Sequence, residues 1–255
     1  MTQQALVTAA ILVIGDEILS GRTKDKNIGY IAEYLTNVGI DLKEVRVVPD
    51  DEAEIVAAVN ALRAKFTYLF TTGGIGPTHD DITADCIAKA FGVAIDHDPR
   101  AVAILRERYR PEDLNEARLR MARIPDGADL IENPISKAPG FRLGNVIVMA
   151  GVPQIMQVML DNVAPTLKTG SRMLSRTVES GGLPEGIYAE ALAGIAKAHA
   201  GVMIGSYPSF DGKAFFNRIV MRARDEALLD AVEKDVKEAL NRLHEAQGSG
   251  YRLPL

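Results

Sequence analysis

The segment TYLFTTGGIGPTHDDIT, residues 67–83, constrains the fold of this chain more than any other. A short apolar run, residues 68–70, leads into a glycine-rich turn, and Asp80 and Asp81 then precede a helical pattern over residues 82–91. This order predicts a strand, a glycine loop and a helix start, where unpaired N–H groups and the helix dipole favour a bound anion. No lysine follows the glycines and the GxGxxG spacing is absent, which excludes a Walker loop and a dinucleotide-binding loop.

Asp80 and Asp81 allow two interpretations. Hard divalent cations prefer carboxylate ligands, so the pair is typical of a site where a metal joins protein and phosphate oxygens. Aspartates at a helix start also act as caps that the helix dipole stabilises. The two residues alone leave both interpretations open.

Composition indicates an ordinary globular protein of one large or two modest domains, with 255 residues, 47% of them apolar. The single cysteine, Cys86, excludes an internal disulfide and favours a reducing environment. The apolar run over residues 5–14 follows no basic residue, so we expect a first strand and not a signal peptide. No other apolar stretch approaches the roughly 20 residues of a membrane helix. We expect a cytoplasmic protein without a membrane partner.

The charge balance gives no reason to expect nucleic acid as a partner. The net charge is −5, from 29 Lys plus Arg against 34 Asp plus Glu, and it provides no overall field to attract a polyanion. Only 5% of the residues are aromatic and none is Trp, which leaves little material for stacking on bases.

Strand and helix patterns alternate from residue 8 to about residue 167, which is typical of a mostly parallel sheet between helices. Gly144-Asn145 marks a hairpin, whose second arm runs into a further glycine turn, Gly151-Val152-Pro153. This second glycine turn is either a tight connection between two elements or part of a binding site. The predicted elements are strands at residues 8–14, 41–48, 68–70, 141–143 and 146–149, and helices at 27–38, 52–65, 82–91 and from about 153.

Three acidic turns follow the first three predicted strands: Gly15-Asp16-Glu17, Pro49-Asp50-Asp51 and His79-Asp80-Asp81. Carboxyl ends of parallel strands meet at one edge of a sheet, so we expect these turns to surround the glycine loop. A carboxylate among like charges has a raised pKa, which suits Asp50 to accept a proton near neutral pH.

The alternation restarts near residue 170, which predicts two domains, residues 1–169 and 170–255. The second is predicted as a small α+β unit. Its strands are expected at residues 176–179, 202–207 and 214–222, the last two joined through residues 210–213, and its helices at 184–200 and 226–243. Residues 99–121 are predicted as a helical stretch, whose apolar face fits either a homo-oligomer contact or core packing.

Together these motifs resemble the competence/damage-inducible protein A (CinA) family. The resemblance rests on Gly15-Asp16-Glu17-Ile18-Leu19, on residues 71–83 and on Gly151-Val152-Pro153. It implies a three-layer α/β/α domain of MoaB/Mog-like, molybdopterin-binding-like fold with a mostly parallel sheet, followed by a small KH-like α+β domain. Full-length members of the family carry a further C-terminal amide-hydrolysing domain, which the resemblance does not include here, so deamidation is not expected.

The resemblance also implies a ligand, either a phosphorylated pterin such as molybdopterin or a nucleotide. The motifs place substrate-binding residues in the two glycine turns and in the loops beside them, and Lys137 adds a cation that we expect to face a phosphate. These residues are Gly15, Asn27, Thr72, Gly73, Gly74, Gly76, Pro77, Thr78, Lys137, Pro139, Gly140, Gly151 and Pro153.

The leading hypothesis is a metal-dependent hydrolase of a nucleotide pyrophosphate such as ADP-ribose. We expect the amides of Gly73, Gly74 and Gly76 to hold one phosphate. The metal, Mg²⁺, Mn²⁺ or Co²⁺, is expected at Asp16, Asp80 and Asp81, and the catalytic residues are expected to be Asp81, Asp50 and Glu17. The main alternative is a non-catalytic molybdopterin- or nucleotide-binding protein. An RNA-binding role is disfavoured, because the second domain has equal numbers of basic and acidic residues and no GxxG loop.

Overall fold

The structure, a computed structural model, describes residues 6–210 and 215–254 and divides into two compact units, residues 1–170 and 171–255. The first unit contains a six-stranded sheet in the order β2-β1-β3-β8-β7-β6 and a separate ribbon of β4 and β5. Its strands are β1 (Thr8–Ile14), β2 (Asp41–Val48), β3 (Tyr68–Thr72), β4 (Ile95–His97), β5 (Arg123–Pro125), β6 (Asp129–Ile131), β7 (Gly140–Leu143) and β8 (Val146–Met149).

The six-stranded sheet is mostly parallel, as predicted. Strand β1 pairs in parallel with β2 and β3, and β3 pairs in parallel with β8, whereas β7 is antiparallel to β8 and β6. Both faces are covered, which explains why the central strand β1 is almost wholly apolar. Leu12 and Ile14 point into one buried layer, and Ile11 and Val13 point into the other.

Helices cover the two faces of this sheet and complete the predicted three layers. Ile31 of α2 and Met156 of α7 pack in one layer, while Ile55 of α3, Ile87 of α4 and Leu105 of α5 pack in the other. The helices of the first unit are α1 (Asp16–Leu19), α2 (Asn27–Asn37), α3 (Glu52–Lys65), α4 (Thr83–Phe91), α5 (Pro99–Arg108), α6 (Glu116–Leu119) and α7 (Pro153–Val163).

The prediction of one helical stretch over residues 99–121 was wrong. Helix α5 ends at Arg108, and short 3₁₀ turns at Pro111–Asp113 and Arg120–Ala122 flank α6. Proline disfavours the helical conformation in the residue before it, and Arg110, before Pro111, is extended. The apolar face of α5 is buried in the core of its own unit, so core packing explains it; an oligomer stays a prediction.

The region from residue 122 to 140, in which the sequence indicates neither strand nor helix, contains the short strands β5 and β6. Each has three residues, too few for a period of two to be visible in sequence. The predicted hairpin is confirmed: β7 and β8 pair antiparallel on either side of Gly144-Asn145.

The second unit is a small α+β structure, as predicted. Three antiparallel strands in the order β10-β11-β9 form its sheet, and Ile219, Leu229 and Val236 lie in its buried core. Residues 211–214, which include most of the predicted turn, lie outside the described residues. The elements are β9 (Leu174–Glu179), α8 (Glu185–Ala198), β10 (Met203–Phe210), β11 (Phe215–Ala223) and α9 (Glu226–Ala246). Throughout the described parts of both units, every helix is too short or too polar to cross a membrane.

Candidate functional site

The glycine turn after β3 has a backbone shape that side chains would not permit. Gly73 and Gly74 have φ values of +102° and +65°. A Cβ on Gly73 would lie 2.2 Å from the carbonyl oxygen of Ile14, and one on Gly74 would lie 2.2 Å from Oγ1 of Thr83. The turn therefore requires glycine at both positions.

Thr83, buried at the first position of α4, fixes this turn to the helix. Its hydroxyl donates to the carbonyl oxygen of Gly73 over 3.0 Å, and its N–H donates to the carbonyl oxygen of Gly74 over 3.0 Å. Sequence analysis did not single out Thr83, although a buried threonine at a helix start is a sign of such a role.

The N–H groups of the turn are not all available to a ligand. That of Gly73 donates to the carbonyl oxygen of Met149 over 3.2 Å, which corrects the expectation that it faces a phosphate. Those of Gly74, Ile75 and Gly76 donate to no protein group within residues 6–210 and 215–254. Three consecutive N–H groups without a protein partner are suited to bind an anion.

The second glycine turn, after β8, contacts the first. A Cβ on Gly151 would lie 3.3 Å from Cα of Gly73, so the two backbones approach closely. The side-chain amide of Asn27 donates to the carbonyl oxygen of Gly151 over 2.8 Å, and Pro153 opens α7. The turn is therefore part of the same site and not a remote connection.

Both turns line a cavity of about 530 Å³, a size typical of sites for small ligands. Its wall combines backbone, two carboxylates and an apolar surface, and it includes no Lys or Arg among the described residues. Eight predicted site residues line it: Glu17, Gly73, Gly74, Gly76, Pro77, Asp81, Gly151 and Pro153. Residues that the sequence did not indicate are Thr23, Ile75, Met121, Asn133, Ser136, Ala138, Ala150, Val152 and Ile155.

A smaller recess of about 70 Å³ adjoins the cavity, and both share Glu17, Thr23, Gly73, Gly151 and Pro153. The predicted residues Asn27 and Thr72 line this recess. Lys24 and Lys26 line it as well. Cationic residues therefore adjoin the site here and at Arg120 and Arg123, which line a separate small space together with Gly74 and Asp81.

Asp81 stabilises the glycine turn through hydrogen bonds to Thr78. Its Oδ2 accepts the N–H of Thr78 over 2.8 Å and the hydroxyl of Thr78 over 2.6 Å. The N-cap of α4 is Ile82, with no side-chain hydrogen bond, so Asp81 caps the turn and not the helix. A Cβ on Gly76 would lie 2.6 Å from Oδ2 of Asp81, which explains the glycine there.

The acidic turns interact with one another. Oδ2 of Asp50 accepts the N–H of Asp16 over 3.0 Å. Burial is the largest cause that raises the pKa of Asp50; the hydrogen bond from Asp16 opposes it, and the charges of Asp16, Glu17 and Asp80 add to it. The pKa of Asp50 is therefore raised, as the sequence predicts, but burial contributes more to the rise than the expected repulsion between carboxylates does.

The expected metal ligands are spread out. Asp16 and Asp80 are exposed and do not line the cavity, whereas Asp81 does. In the described part of the chain, no three His, Cys, Asp or Glu side chains are grouped so that they alone hold a metal ion. Magnesium is typically bound by one or two carboxylates, water and substrate phosphate, and Glu17 and Asp81 are the two carboxylates that line the cavity. A metal therefore stays a prediction.

Five expected ligand residues line neither the cavity nor the recess: Gly15, Thr78, Lys137, Pro139 and Gly140. Nζ of Lys137 donates to Glu107 over 2.9 Å, so its ammonium is paired with a carboxylate and does not face a phosphate. Gly140 begins β7, where a Cβ would lie 2.4 Å from the carbonyl oxygen of Val148. The N–H of Gly15 donates to the carbonyl oxygen of Val48. These two glycines shape the sheet edge and do not contact the cavity.

Two residues that sequence analysis missed support the walls of the cavity. Oδ1 of Asn133, which is buried, accepts the N–H groups of Ile135 and Ser136, and its amide donates to the carbonyl oxygen of Ala138. Arg120 donates to the carbonyl oxygen of Asp81 over 3.3 Å. It lies beside Pro139 in a space of about 10 Å³ next to the glycine turn. The Asn-Pro pair at residues 133–134 was the available sequence signal for the loop.

Comparison with known proteins agrees with this architecture. A family model described as "Probable molybdopterin binding domain" matches residues 10–169, and one described as "FAD synthase, middle domain" matches residues 172–246. The fold and its glycine turns thus define a molybdopterin-binding-like α/β domain followed by a small α+β unit.

Relatives identify the family more narrowly. A CinA-like protein of Desulfosudis oleivorans is 38% identical over 209 residues, which cover 77% of this chain and 51% of that protein. The crystal structure of the protein CinA from Thermoplasma acidophilum is 35% identical, with a TM-score of 0.60, over 63% of this chain and 98% of that chain. The chain belongs to the CinA family. It spans about half the length of the Desulfosudis relative.

Proposed function

We propose that the protein binds a phosphorylated nucleotide in the 530 Å³ cavity and hydrolyses its pyrophosphate bond with a divalent metal. One observation carries the proposal: three consecutive unpaired N–H groups, of Gly74, Ile75 and Gly76, border a cavity that also contains two carboxylates. Donors of this kind bind phosphate without the help of a cationic side chain.

The two ends of the cavity favour different parts of a ligand. The turn at residues 74–76 supplies N–H groups for a phosphate, and α7 begins beside it with its positive dipole end. Met121, Val152 and Ile155 provide an apolar wall for a planar ring such as a nucleobase, a flavin or a pterin.

Glu17 and Asp81 are the carboxylates that would hold the metal, because both line the cavity. When bound there, a divalent ion polarises the phosphoryl group and lowers the pKa of a coordinated water. Asp50 lines neither the cavity nor the recess, so it would accept the proton of the attacking water through a second, bridging water; its raised pKa favours that role. Water adds to one phosphorus and the bridging P–O bond breaks, so ADP-ribose gives AMP and ribose 5-phosphate.

The test is turnover of ADP-ribose by the purified protein with Mg²⁺, Mn²⁺ or Co²⁺ and with a chelator. We expect AMP to form with at least one metal and not with the chelator. Asp81→Asn should lower the rate at least tenfold, because the cavity loses one of its two carboxylates. Asp96→Asn, at a side chain that is 89% exposed, serves as the matched control and should leave the rate unchanged.

The second candidate is a carrier that binds molybdopterin or a nucleotide without hydrolysing it. The spread of the carboxylates supports this candidate, because no three of them form a metal cluster among the described residues. Saturable binding of ADP-ribose or of a flavin nucleotide, with no phosphorylated product under any metal, would select the carrier. The match to the middle domain of FAD synthase is the reason to include a flavin nucleotide.

A further inference from the structure

The recess beside the main cavity contains two buried polar atoms without a partner. Oδ1 of Asn27 and Oγ1 of Thr72 make no hydrogen bond to any described residue. Asn27 is 4% exposed and Thr72 is 1% exposed, and both line the recess. A buried polar group without a partner is costly and uncommon, so each such group needs an explanation.

The folding of the surrounding chain holds both atoms in place. Thr72 is the last residue of β3, and Asn27 is the first residue of α2. Asp25 fixes that helix start, since its Oδ1 accepts the N–H groups of Asn27 and Ile28. The side-chain nitrogen of Asn27 donates to the carbonyl oxygen of Gly151, and its side-chain oxygen is left without a partner.

These two atoms define the chemistry that the recess accepts. The oxygen of Asn27 only accepts hydrogen bonds, whereas the hydroxyl of Thr72 both donates and accepts. A ligand hydroxyl matches the chemistry of both atoms, because it can donate to Asn27 and accept from Thr72. Lys24 and Lys26 also line the recess, but a second phosphate matches these two atoms less well, because it offers only acceptors to the oxygen of Asn27.

We propose that this recess is a subsite for a sugar hydroxyl of the phosphorylated ligand, held by Asn27 and Thr72. The inference rests on the proposed function for the identity of that ligand. Gly73 lines both spaces and separates Thr72 from the free N–H groups that begin at Gly74. A phosphorylated sugar therefore spans the two, with its phosphate on the amides and a hydroxyl in the recess.

The substitution Thr72→Val tests the subsite without removing any bond within the protein. Its hydroxyl has no protein partner, so the variant should fold and melt at the same temperature as the wild type or higher. The matched control is Thr71→Val. Thr71 is the neighbouring buried hydroxyl, also without a partner, and it does not line the recess.

Binding of ADP-ribose is measured by calorimetry for the three proteins, with Mg²⁺ present. We expect Thr72→Val to weaken binding about tenfold and Thr71→Val to leave it unchanged, since a lost hydrogen bond is worth about a factor of ten. Equal affinities for the two variants would overturn the proposal.

If the wild type does not bind ADP-ribose, the proposed function is wrong, but the sugar subsite can still be tested. A second measurement tests it. Ribose 5-phosphate is titrated into the full chain labelled with ¹⁵N, and the side-chain amide signal of Asn27 is followed. We expect that signal to shift in the wild type and in Thr71→Val, and to need about tenfold more ligand for the same shift in Thr72→Val. If it shifts in no protein, the recess is not a sugar subsite.

Discussion

The hydroxyl of Thr83 donates a hydrogen bond to the carbonyl oxygen of Gly73 over 3.0 Å. This bond joins the end of β3 to the start of α4 across the glycine turn. Together with the N–H of Thr83 on Gly74, it sets the direction in which the next three N–H groups point. The proposed anion site would therefore depend on Thr83, a buried side chain that does not line the cavity.

Thr83→Val should lower both stability and ligand affinity, because it keeps the shape of the side chain but removes the donor. We expect the free energy of unfolding to fall by about 1–2 kcal/mol in urea denaturation. Thr83→Ser restores the hydroxyl and should recover most of the affinity for ADP-ribose. If the serine variant binds as weakly as the valine variant, the hydrogen bond is not what positions the turn.

Gly76→Ala should impair the site without unfolding the protein. The new Cβ would lie 2.6 Å from Oδ2 of Asp81, so that carboxylate must leave Thr78 and the turn must change shape. We expect the affinity for ADP-ribose to fall about tenfold or more, from the loss of about one or two hydrogen bonds. The control is Gly29→Ala within α2, where a Cβ meets nothing within 4 Å and affinity should be unchanged.

The sequence predicted those features that are determined by residues close together in the chain. The bounds of β1, β2 and α3 agree with the sequence prediction, because apolar periodicity marks them and Asp51 caps α3 through the N–H of Glu54. The two glycine turns were also found, since glycine is itself the signal for such backbone conformations.

The details of the site were beyond the sequence, because they depend on contacts between distant residues. The N–H of Gly73 is unavailable to a ligand because it donates to the carbonyl oxygen of Met149, at the end of β8. Lys137 was expected to face a phosphate, but Glu107, thirty residues earlier, pairs with it. Neither contact leaves a pattern in the residues near the motif.

Asp50 should make stability depend on pH between the ordinary aspartate pKa of 3.8 and its raised folded value. An acid with a raised folded pKa binds its proton more tightly in the folded state than in the unfolded state. Its contribution is therefore present at pH values below 3.8 and is lost as pH rises through the folded pKa.

The variant Asp50→Asn removes this titration and keeps an oxygen that accepts the N–H of Asp16. Melting temperatures across the acidic range should therefore fall less with rising pH for the variant than for the wild type. Parallel curves for the two proteins would contradict a raised pKa at Asp50. The exposed Asp96→Asn is again the control, and its curve should follow that of the wild type.

Cys86 should resist thiol reagents in the folded protein. The side chain is buried in the layer between α4 and the sheet, and burial raises the pKa of its thiol to about 12. At pH 8 we expect maleimide to modify the protein only after denaturation, as measured by mass spectrometry. Rapid modification of the native protein, at the rate of a free thiol, would show that this layer opens readily.

The most direct test of the account is a crystal structure of the protein with ADP-ribose and Mg²⁺. We expect phosphate oxygens within hydrogen-bond distance of the N–H groups of Gly74, Ile75 and Gly76. The metal should lie between that phosphate and the carboxylates of Glu17 and Asp81. A phosphate bound elsewhere, with these three N–H groups facing water only, would contradict the central claim.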